Sequence, residues 1–549
     1  MKLVALLVRS ALGTVSLAVL AGIVAGVSNT GLLIIINSRL SNPNAPQNAL
    51  VLSFALLCLA MLISRAASWI FLVRLAHGVT FKLRLELSAR ILAAPLQHLE
   101  KLGAPRLLAT LTDDVSVIAA ALATAPMLGV HIVVVVTCLA YLGWLSPLVL
   151  LGVFAFLLFG VLCYQIPLRR ALTYLGASRR ELDALLKNFR SLIDGNKELK
   201  LHRARGEAFL HDELEHNAHA FRSKASAGDA IYALTASFGH LLIFILIGLL
   251  IFALPLWRPT DNATTIGYSL VILYLMPPLE VIMNALPTLG RANIALQKIE
   301  AMGLSLAPET AAPANAAIAP QHSYQRLKLE GVTHAYEGED GDGFRLGPVD
   351  LTFRPAEVVF LVGGNGSGKT TLAKVITGLY APDEGAINLN GQRITDETRN
   401  EYRQLFSAVF SDFHLFESLL GLNTDALDEQ ALYYLRRLQL DRKVQVLEGV
   451  LSTTDLSHGQ RKRLALLTAY LEDRPFYVFD EWAADQDPLF KEIFYLQLVP
   501  ELKTRGKTVL VISHDDRYFH VADRILKLNY GRMEQEILTS ITSSVVVSS

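Results

Sequence analysis

The segment "GGNGSGKT", residues 363–370, has residue types and a spacing suited to holding phosphate groups. It follows the apolar run "VVFLV" and precedes an amphipathic segment, which is the strand-to-helix context that a phosphate-binding loop requires. Glycines let the backbone curl so that successive N–H groups point at phosphate oxygens, and the helix start adds positive potential. The residues predicted to bind nucleotide here are Gly363, Gly364, Asn365, Gly366, Ser367, Gly368, Lys369, Thr370 and Thr371.

Two residues of this loop are expected to do most of the electrostatic work. Lys369 is predicted to reach the β- and γ-phosphates. The Thr370 hydroxyl is predicted to bind Mg²⁺, which prefers oxygen ligands and usually keeps several waters. The sequence therefore predicts binding of ATP or GTP together with Mg²⁺.

Two later apolar runs end in groups that could act on a phosphate. Four apolar residues lead into Asp480 and Glu481, of which Asp480 is predicted to orient a metal-bound water and Glu481 to polarise the attacking water. The run "TVLVIS" leads into His514, which by itself would be read as a surface histidine. If its strand lies beside the Asp480 strand in one sheet, His514 comes near the γ-phosphate.

The stretch "LSHGQ", residues 456–460, contains no obvious acid, base or metal-binding pair. It is typical of a capped helix start, with Ser457 as the capping hydroxyl and Gly459 allowing close backbone approach. Because the chain has one phosphate-binding loop but two such helix starts, the second is predicted to bind the γ-phosphate held by another copy. The basic run 461–463 is predicted to form a solvated helix face.

Length and hydropathy point to a membrane protein with a second, soluble part. A chain of 549 residues is too long for one core, and its mean hydropathy of +0.37 is too high for an ordinary soluble enzyme. Basic residues concentrate in the two long polar insertions, which the positive-inside bias makes cytoplasmic, so a nucleic-acid partner is not expected. Six apolar runs are predicted to span the bilayer, at about 11–36, 50–75, 127–145, 147–167, 230–256 and 265–290.

An Ala- and Pro-rich stretch without periodicity marks the predicted boundary between the two parts. The sequence thus predicts a transmembrane domain at 1–302, a linker at 303–325, a nucleotide-binding domain at 326–535 and a tail at 536–549.

The order of "GGNGSGKT", "LSHGQ", "VFDE", "ADQD" and "SHD" resembles the nucleotide-binding domain of ATP-binding cassette (ABC) transporters. With six spans, the chain is similar to a half-transporter exporter of the bacterial inner membrane, which hydrolyses ATP as a homodimer with two interfacial sites. The implied fold is an all-α six-helix transmembrane domain followed by an α/β P-loop domain. The resemblance also implies that Tyr336 stacks on adenine, that Ser457, Gly459 and Gln460 face the partner's γ-phosphate, and that Asp487 lies at the dimer seam.

Three positions depart from the wider family pattern. Ser411 stands where the family usually has a glutamine that senses Mg²⁺ and the attacking water, and this shorter side chain would need a water bridge. His458 replaces the usual second glycine of the signature, and Trp482 replaces the usual proline after the base. Because loss of a preorganised donor can cost about 10²- to 10³-fold in rate, the serine predicts slow turnover or altered coupling.

The cargo is the least determined part of the prediction. The phrases "GNKELKL", "FSAVFSDFHLF" and "DEWAADQDP" resemble the cyclic-peptide exporter branch, especially exporters of pyoverdine-type peptide siderophore precursors. Glu280 and Asn284 share one helical stripe of the last span, and His240 lies in the fifth. These groups suit either a hydrophilic cargo cavity or interhelical hydrogen bonds. A lipid flippase and a multidrug or other cyclic-peptide exporter remain alternatives, and a periplasmic acceptor stays open.

Overall fold

The computed structural model describes residues 2–41, 47–257, 262–303, 324–336, 343–422 and 426–538. The chain divides into two compact units. The first comprises Met1–Leu92 with Ala104–Ala307, and the second comprises Ala93–Gly103 with Pro308–Ser549. Most of the predicted linker and of the predicted tail lies outside the described residues. The short segment Ala93–Gly103, which the sequence assigned to the membrane part, belongs to the second unit.

The first unit is built from long helices joined by short helices and π-helical turns. The helices in chain order up to the end of this unit are α1 (Lys2–Ser41), α2 (Gln47–Ala93), α3 (Leu96–Leu102, which belongs to the second unit), α4 (Ala104–Ala109), α5 (Val115–Leu145), α6 (Pro147–Asp194), α7 (Asn196–Leu201), α8 (Arg203–Ala208), α9 (His216–Gly248), α10 (Leu254–Trp257) and α11 (Asn262–Ala301). Helix α5 packs against α1 and α11, whereas α6 packs against α9.

The described residues contain six helical segments that are long and apolar enough to cross a membrane. Their number confirms the six predicted spans, but the fifth segment, Arg203–Leu256, begins well before the predicted start at 230. A helix can continue past the end of an apolar run, because its backbone hydrogen bonds do not depend on whether the side chains are apolar or polar. The six segments are Val19–Leu40, Leu50–Ala93, Ala104–Leu145, Pro147–Asp194, Arg203–Leu256 and Thr264–Ala301.

The second unit contains two larger β-sheets surrounded by shorter helices. The strands of this unit are β1 (Leu327–Ala335), β2 (Arg345–Phe353), β3 (Val358–Val362), β4 (Glu384–Leu389), β5 (Gln392–Arg393), β6 (Phe406–Val409), β7 (Val446–Leu447), β8 (Val450–Leu451), β9 (Phe476–Asp480), β10 (Thr508–Ile512), β11 (Arg524–Asn529) and β12 (Arg532–Leu538). One of the larger sheets has the strand order β2-β1-β4-β5, and the other has the order β12-β11-β3-β10-β9-β6. The remaining helices are α12 (Lys369–Ile376), α13 (Arg399–Arg403), α14 (Leu427–Arg437), α15 (His458–Glu472), α16 (Pro488–Ile493) and α17 (Val499–Thr504).

The six-stranded sheet brings the predicted chemical groups to one edge. Strands β3, β10 and β9 are parallel neighbours, with Ile512 paired to Leu361 on one side and to Asp480 on the other. All residues of β9 and β10 are buried, as expected for parallel strands covered on both faces. The carboxyl ends of parallel strands meet at the same edge, where ligands bind in open α/β sheets. This arrangement confirms the predicted fold class.

The buried face of α14 gives a test of the core of the second unit. Leu435 is fully buried, whereas Leu432 on the same helix is 42% exposed. Leu435→Ala should destabilise the unit by about 2 to 5 kcal/mol, because it removes buried methyl groups and leaves a cavity. Thermal unfolding of the purified full chain measures this loss. Leu432→Ala, the matched control, should change stability by no more than about 0.5 kcal/mol; equal losses would show that α14 packs differently.

Candidate functional site

The loop at 363–370 closes tightly around its own backbone. At Gly363 a Cβ atom would lie 2.1 Å from the Leu528 carbonyl oxygen, and at Gly368, where φ is +99°, it would lie 2.5 Å from the Phe344 ring. Only glycine fits both positions. Lys369 donates from Nζ to the carbonyl oxygens of Gly363 and Gly364 at 3.0 Å each. The ammonium group is therefore held inside the curl, where a phosphate oxygen would meet it.

Thr370 and Asp480 form the part of the site suited to a cation. The Thr370 hydroxyl donates to Oδ2 of Asp480 at 2.9 Å. Asp480 is buried, and its Oδ1 has no hydrogen-bond partner among the described residues. Burial raises the pKa of this carboxyl, against the opposing effect of the Thr370 hydrogen bond. An unpartnered buried carboxylate oxygen beside a hydroxyl fits the oxygen ligands that Mg²⁺ takes in nucleotide sites.

Ser411 lies beside the same carboxylate. It follows β6 in a turn, and its backbone N–H interacts with Asp480 and favours the ionised carboxylate. The Ser411 residue itself is exposed. The contact with Asp480 is thus made by the Ser411 backbone, and the role of its side chain toward Mg²⁺ stays a prediction.

Glu481 and His514 lie next to each other at the end of β9 and β10. Nε2 of His514 is 3.4 Å from Oε1 of Glu481, and both side chains are partly exposed. The Glu481 N–H donates to the Ile512 carbonyl at 3.1 Å, which ties the residue to the neighbouring strand. The sequence predicted that β9 and β10 are neighbours, and their pairing places the histidine beside the carboxylate. A solvent-accessible carboxylate–imidazole pair can accept a proton from water.

Tyr336 belongs to an aromatic cluster at the end of β1. Its ring centroid lies 5.4 Å from that of His334, 6.4 Å from that of Phe344 and 6.0 Å from that of Tyr380. Its hydroxyl donates to the Tyr380 hydroxyl at 3.0 Å. The Tyr336 ring is half-buried, which leaves one part of it available to stack on a base.

The signature segment starts α15 as predicted. Ser457 is the N-cap residue with an extended backbone, and its N–H donates to the Gln460 side-chain oxygen at 3.4 Å. Gly459 lies so close to the following loop that a Cβ atom would come within 3.0 Å of the Asp485 carbonyl oxygen. Gln486 also donates to the Gly459 carbonyl at 2.9 Å. Among the described residues, no hydrogen bond joins Ser457 or Gly459 to residues 363–370.

The prediction of a solvated basic face after the signature is wrong for two of its three residues. Lys462 is buried, and the Arg463 side chain is only 12% exposed. Arg463 pairs with Asp487 and lies 3.7 Å above the Phe490 ring centroid. The reason is the acidic loop after β9, which covers this face of α15 and supplies the counter-charges. The alternating carboxylates of "ADQD" were the sequence feature that could have indicated this pairing.

Trp482 and His458, which also depart from the family pattern, and the predicted seam residue Asp487 each contact a neighbouring residue. Trp482 is buried, stacks on Phe494 with centroids 4.4 Å apart, and donates from its indole N–H to the Lys462 carbonyl at 2.8 Å. His458 is exposed, with Nε2 3.3 Å from Oδ2 of Asp485. Asp487 caps α16 by accepting the Phe490 N–H at 2.9 Å.

The predicted cargo residues lie on exposed helix faces of the first unit. Glu280 and Asn284 on α11 and His240 on α9 are all exposed in the single chain. The Tyr232 hydroxyl of α9 donates to Oδ1 of Asn284 at 3.0 Å. The structure thus joins Asn284 to Tyr232, and it brings neither Glu280 nor His240 into a hydrogen bond with another of the described residues.

Comparison with known proteins agrees with both units. The protein-family model described as ABC transporter matches residues 346–484, and the family model described as ABC transporter transmembrane region matches residues 12–173. The ATP-binding protein SyrD of Pseudomonas syringae pv. syringae is 37% identical over 533 residues, which cover 95% of this chain and 94% of that protein. The chain belongs to the ABC transporter family.

Two further comparisons each cover most of the chain. An ATP-dependent lipid A-core flippase of Cupriavidus metallidurans is 27% identical over 508 residues, covering 86% of this chain and 81% of that protein. The structure of a bacterial Atm1-family ABC exporter with ATP bound superimposes with a TM-score of 0.73 over 97% of this chain and 96% of that one, at 16% identity. The present chain is thus an ABC exporter: an ATP-hydrolysing half-transporter and a multi-pass protein of the bacterial inner membrane.

Tyr336 gives a direct test of the adenine side of the site. Tyr336→Ala should weaken ATP binding by about 1 to 3 kcal/mol, the usual contribution of one base–aromatic stack. Tyr336→Phe keeps the ring and loses only the hydrogen bond to Tyr380, so its affinity should stay near that of the unchanged protein. Titration of the purified full chain with a fluorescent ATP analogue measures both. Equal weakening in the two variants would assign the role to the hydroxyl instead of the ring.

Proposed function

We propose that this chain is a homodimeric exporter in which ATP binding drives a peptide-type cargo, a peptide siderophore precursor of the pyoverdine type, from the cytoplasm to the periplasm. The observation that carries the ATPase part is the meeting of Lys369, Asp480 and the Glu481–His514 pair at one edge of the sheet. The signature residues stand elsewhere on the same chain, at the exposed start of α15.

Each group at the sheet edge has a chemical task in this proposal. The backbone N–H groups of the loop and the Lys369 ammonium bind the phosphates and offset their charge. Thr370 and Asp480 would hold Mg²⁺, which supplies positive charge to the β- and γ-phosphate oxygens when bound. Glu481 orients the attacking water and accepts its proton, and His514 fixes the direction of that carboxylate.

A second copy completes the site. Ser457 is exposed and the first N–H groups of α15 form a helix start that favours an anion. In a symmetric dimer each copy offers this helix start to the nucleotide held by the other, so two ATP molecules lie between the copies. ATP then closes the two nucleotide-binding domains because it binds the closed pair better than the open one.

The first cytoplasmic insertion supports a path from this closure to the membrane part. Its helix α3 belongs to the same compact unit as the nucleotide-binding residues. Glu100 of α3 accepts from the Lys374 ammonium at 2.8 Å and from the Tyr380 hydroxyl, and Leu96 packs against the core of this unit. Movement of the nucleotide-binding domain therefore pulls on a segment that leads directly into α2 and α4.

The polar group in the membrane part supports a hydrophilic cargo. Tyr232 of α9 and Asn284 of α11 are joined by a hydrogen bond, and with the exposed Glu280 they would line a cavity that peptide groups can hydrogen-bond. The likeness to relatives described as lipid A-core flippases favours lipid as the second candidate cargo. Both cargoes use the same ATP-driven change from an inward-facing to an outward-facing cavity.

Glu481 tests the catalytic part of the proposal. Glu481→Gln should leave ATP binding intact and abolish phosphate release, because the amide cannot accept the proton of the attacking water. The protein should accumulate as an ATP-bound closed dimer. Glu401→Gln, a change at an exposed carboxylate of α13, is the matched control and should hydrolyse ATP normally. Normal phosphate release by the Glu481 variant would remove this residue from the role of base.

Metabolite and lipid profiling of a deletion strain separates the two cargo classes. If the cargo is a peptide siderophore precursor, the cytoplasm should retain that peptide and the periplasm should lack it. Return of the unchanged chain should restore export, whereas the Glu481→Gln chain should not. Altered lipid asymmetry with unchanged peptides would contradict the peptide proposal and favour the flippase.

A further inference from the structure

Lys462 is a buried ammonium group on the helix that starts at the signature. Its side chain is only 4% exposed, and lysine is seldom fully buried unless it is paired. Nζ donates to Oδ2 of Asp485 at 2.6 Å and to the carbonyl oxygen of Glu481 at 3.0 Å. One carboxylate and one peptide carbonyl, both in the loop after β9, therefore compensate the buried charge. The Lys462 hydrogen bond also lowers the pKa of the Asp485 carboxyl, which stays ionised.

The backbone of Glu481 is fixed at both of its polar groups. Its φ angle of +49° lies in the left-handed region, which is unfavourable for a non-glycine residue and persists only where surrounding contacts hold it. Its N–H is bound to the Ile512 carbonyl, and its C=O is bound to Lys462. Because the backbone dihedral angles set the direction of the Cα–Cβ bond, these two bonds fix the point and direction from which the Glu481 side chain extends toward its carboxylate.

Trp482, the residue after Glu481, binds the backbone of Lys462. Trp482 donates from its indole N–H to the carbonyl of Lys462 at 2.8 Å and is packed in the core against Phe494. Asp485 also lies 3.3 Å from Nε2 of His458, the first residue of α15. The start of α15 and the loop after β9 are thus joined through both the side chain and the backbone of Lys462. Buried polar networks of this kind hold their members in one arrangement.

We infer that Lys462 is a positioning residue for Glu481: its ammonium group holds the Glu481 carbonyl oxygen and thereby aims the carboxylate at the attacking water. This inference rests on the proposed role of Glu481 as base. It has a consequence for the dimer, because α15 begins with the residues offered to the partner's nucleotide. The same helix therefore aims the base of its own site, and Lys462 connects the two ATP sites.

Replacement of the ammonium group tests this assignment in the full chain reconstituted in lipid vesicles. Lys462→Met keeps the aliphatic stem and removes both hydrogen bonds, so kcat for ATP hydrolysis should fall by at least about tenfold, since small misplacements of catalytic groups are costly. KM for ATP should stay within about twofold, because the groups that bind ATP are untouched. Lys462→Gln can still donate an N–H to the carbonyl and should recover part of kcat.

Lys507 provides a matched control. Its Nζ is likewise bound by a peptide carbonyl and a carboxylate, both of Asp473: it donates to the carbonyl oxygen at 3.0 Å and pairs with Oδ1 at 3.0 Å. It lies immediately before the first residue of β10, at the strand end opposite to the one at which Glu481 follows β9. Lys507→Met should leave kcat unchanged. An equal loss of kcat in the two methionine variants would show a general effect of losing a paired lysine and would overturn the inference.

The double variant separates this inference from the proposed role of Glu481. If Lys462 acts through Glu481, adding Lys462→Met to Glu481→Asp, which keeps a carboxylate and a measurable rate, should reduce kcat by a smaller factor than Lys462→Met does alone. A multiplied loss would show that Lys462 acts independently, which overturns the inference. An inactive Glu481→Gln with a fully active Lys462→Met would overturn the inference alone. A fully active Glu481→Gln would overturn the proposed base and this inference together.

Discussion

The parallel pairing of β3, β10 and β9 is the constraint on which the site depends. Its register sets Leu361, Ile512 and Asp480 side by side, so the phosphate-binding loop, the histidine and the two carboxylates leave the sheet at one edge. The strands are buried on both faces, so a slip of register would carry buried side chains into the wrong layer. The chemistry of the site is therefore fixed by the core of the second unit.

Burial of charge is the second physical theme. Lys462 lies in the interior and is held by a carboxylate and a peptide carbonyl, whereas Asp480 keeps one oxygen without a partner among the described residues. The first arrangement satisfies its charge within the protein, as expected of a structural element. The second leaves a carboxylate whose charge a cation would satisfy, as expected of a binding site. The same rule of pairing thus separates residues that hold the site from residues that act in it.

Motifs with a strict spacing could be predicted from the sequence, whereas contacts between distant segments could not. The loop at 363–370, Asp480 and the capped start of α15 each follow from local patterns of glycine, apolar and capping residues. The burial of Lys462 depends on a loop about twenty residues away, so the helix sequence alone indicated a solvated face. The extent of the membrane helices was also missed, because their polar halves lack the hydropathy that marks a span.

The central claim is that each nucleotide is bound by the loop of one copy and the signature of the other. A different tag on each subunit allows dimers of defined composition to be purified, with Lys369→Ala and Ser457→Arg either in the same subunit or in separate subunits. The ATP hydrolysis of these dimers in vesicles tests the claim most directly. If the site is shared, separate placement leaves one intact site and about half the activity, while placement in one subunit abolishes it. The reverse result would show that each copy binds and hydrolyses ATP with its own signature and would contradict this account.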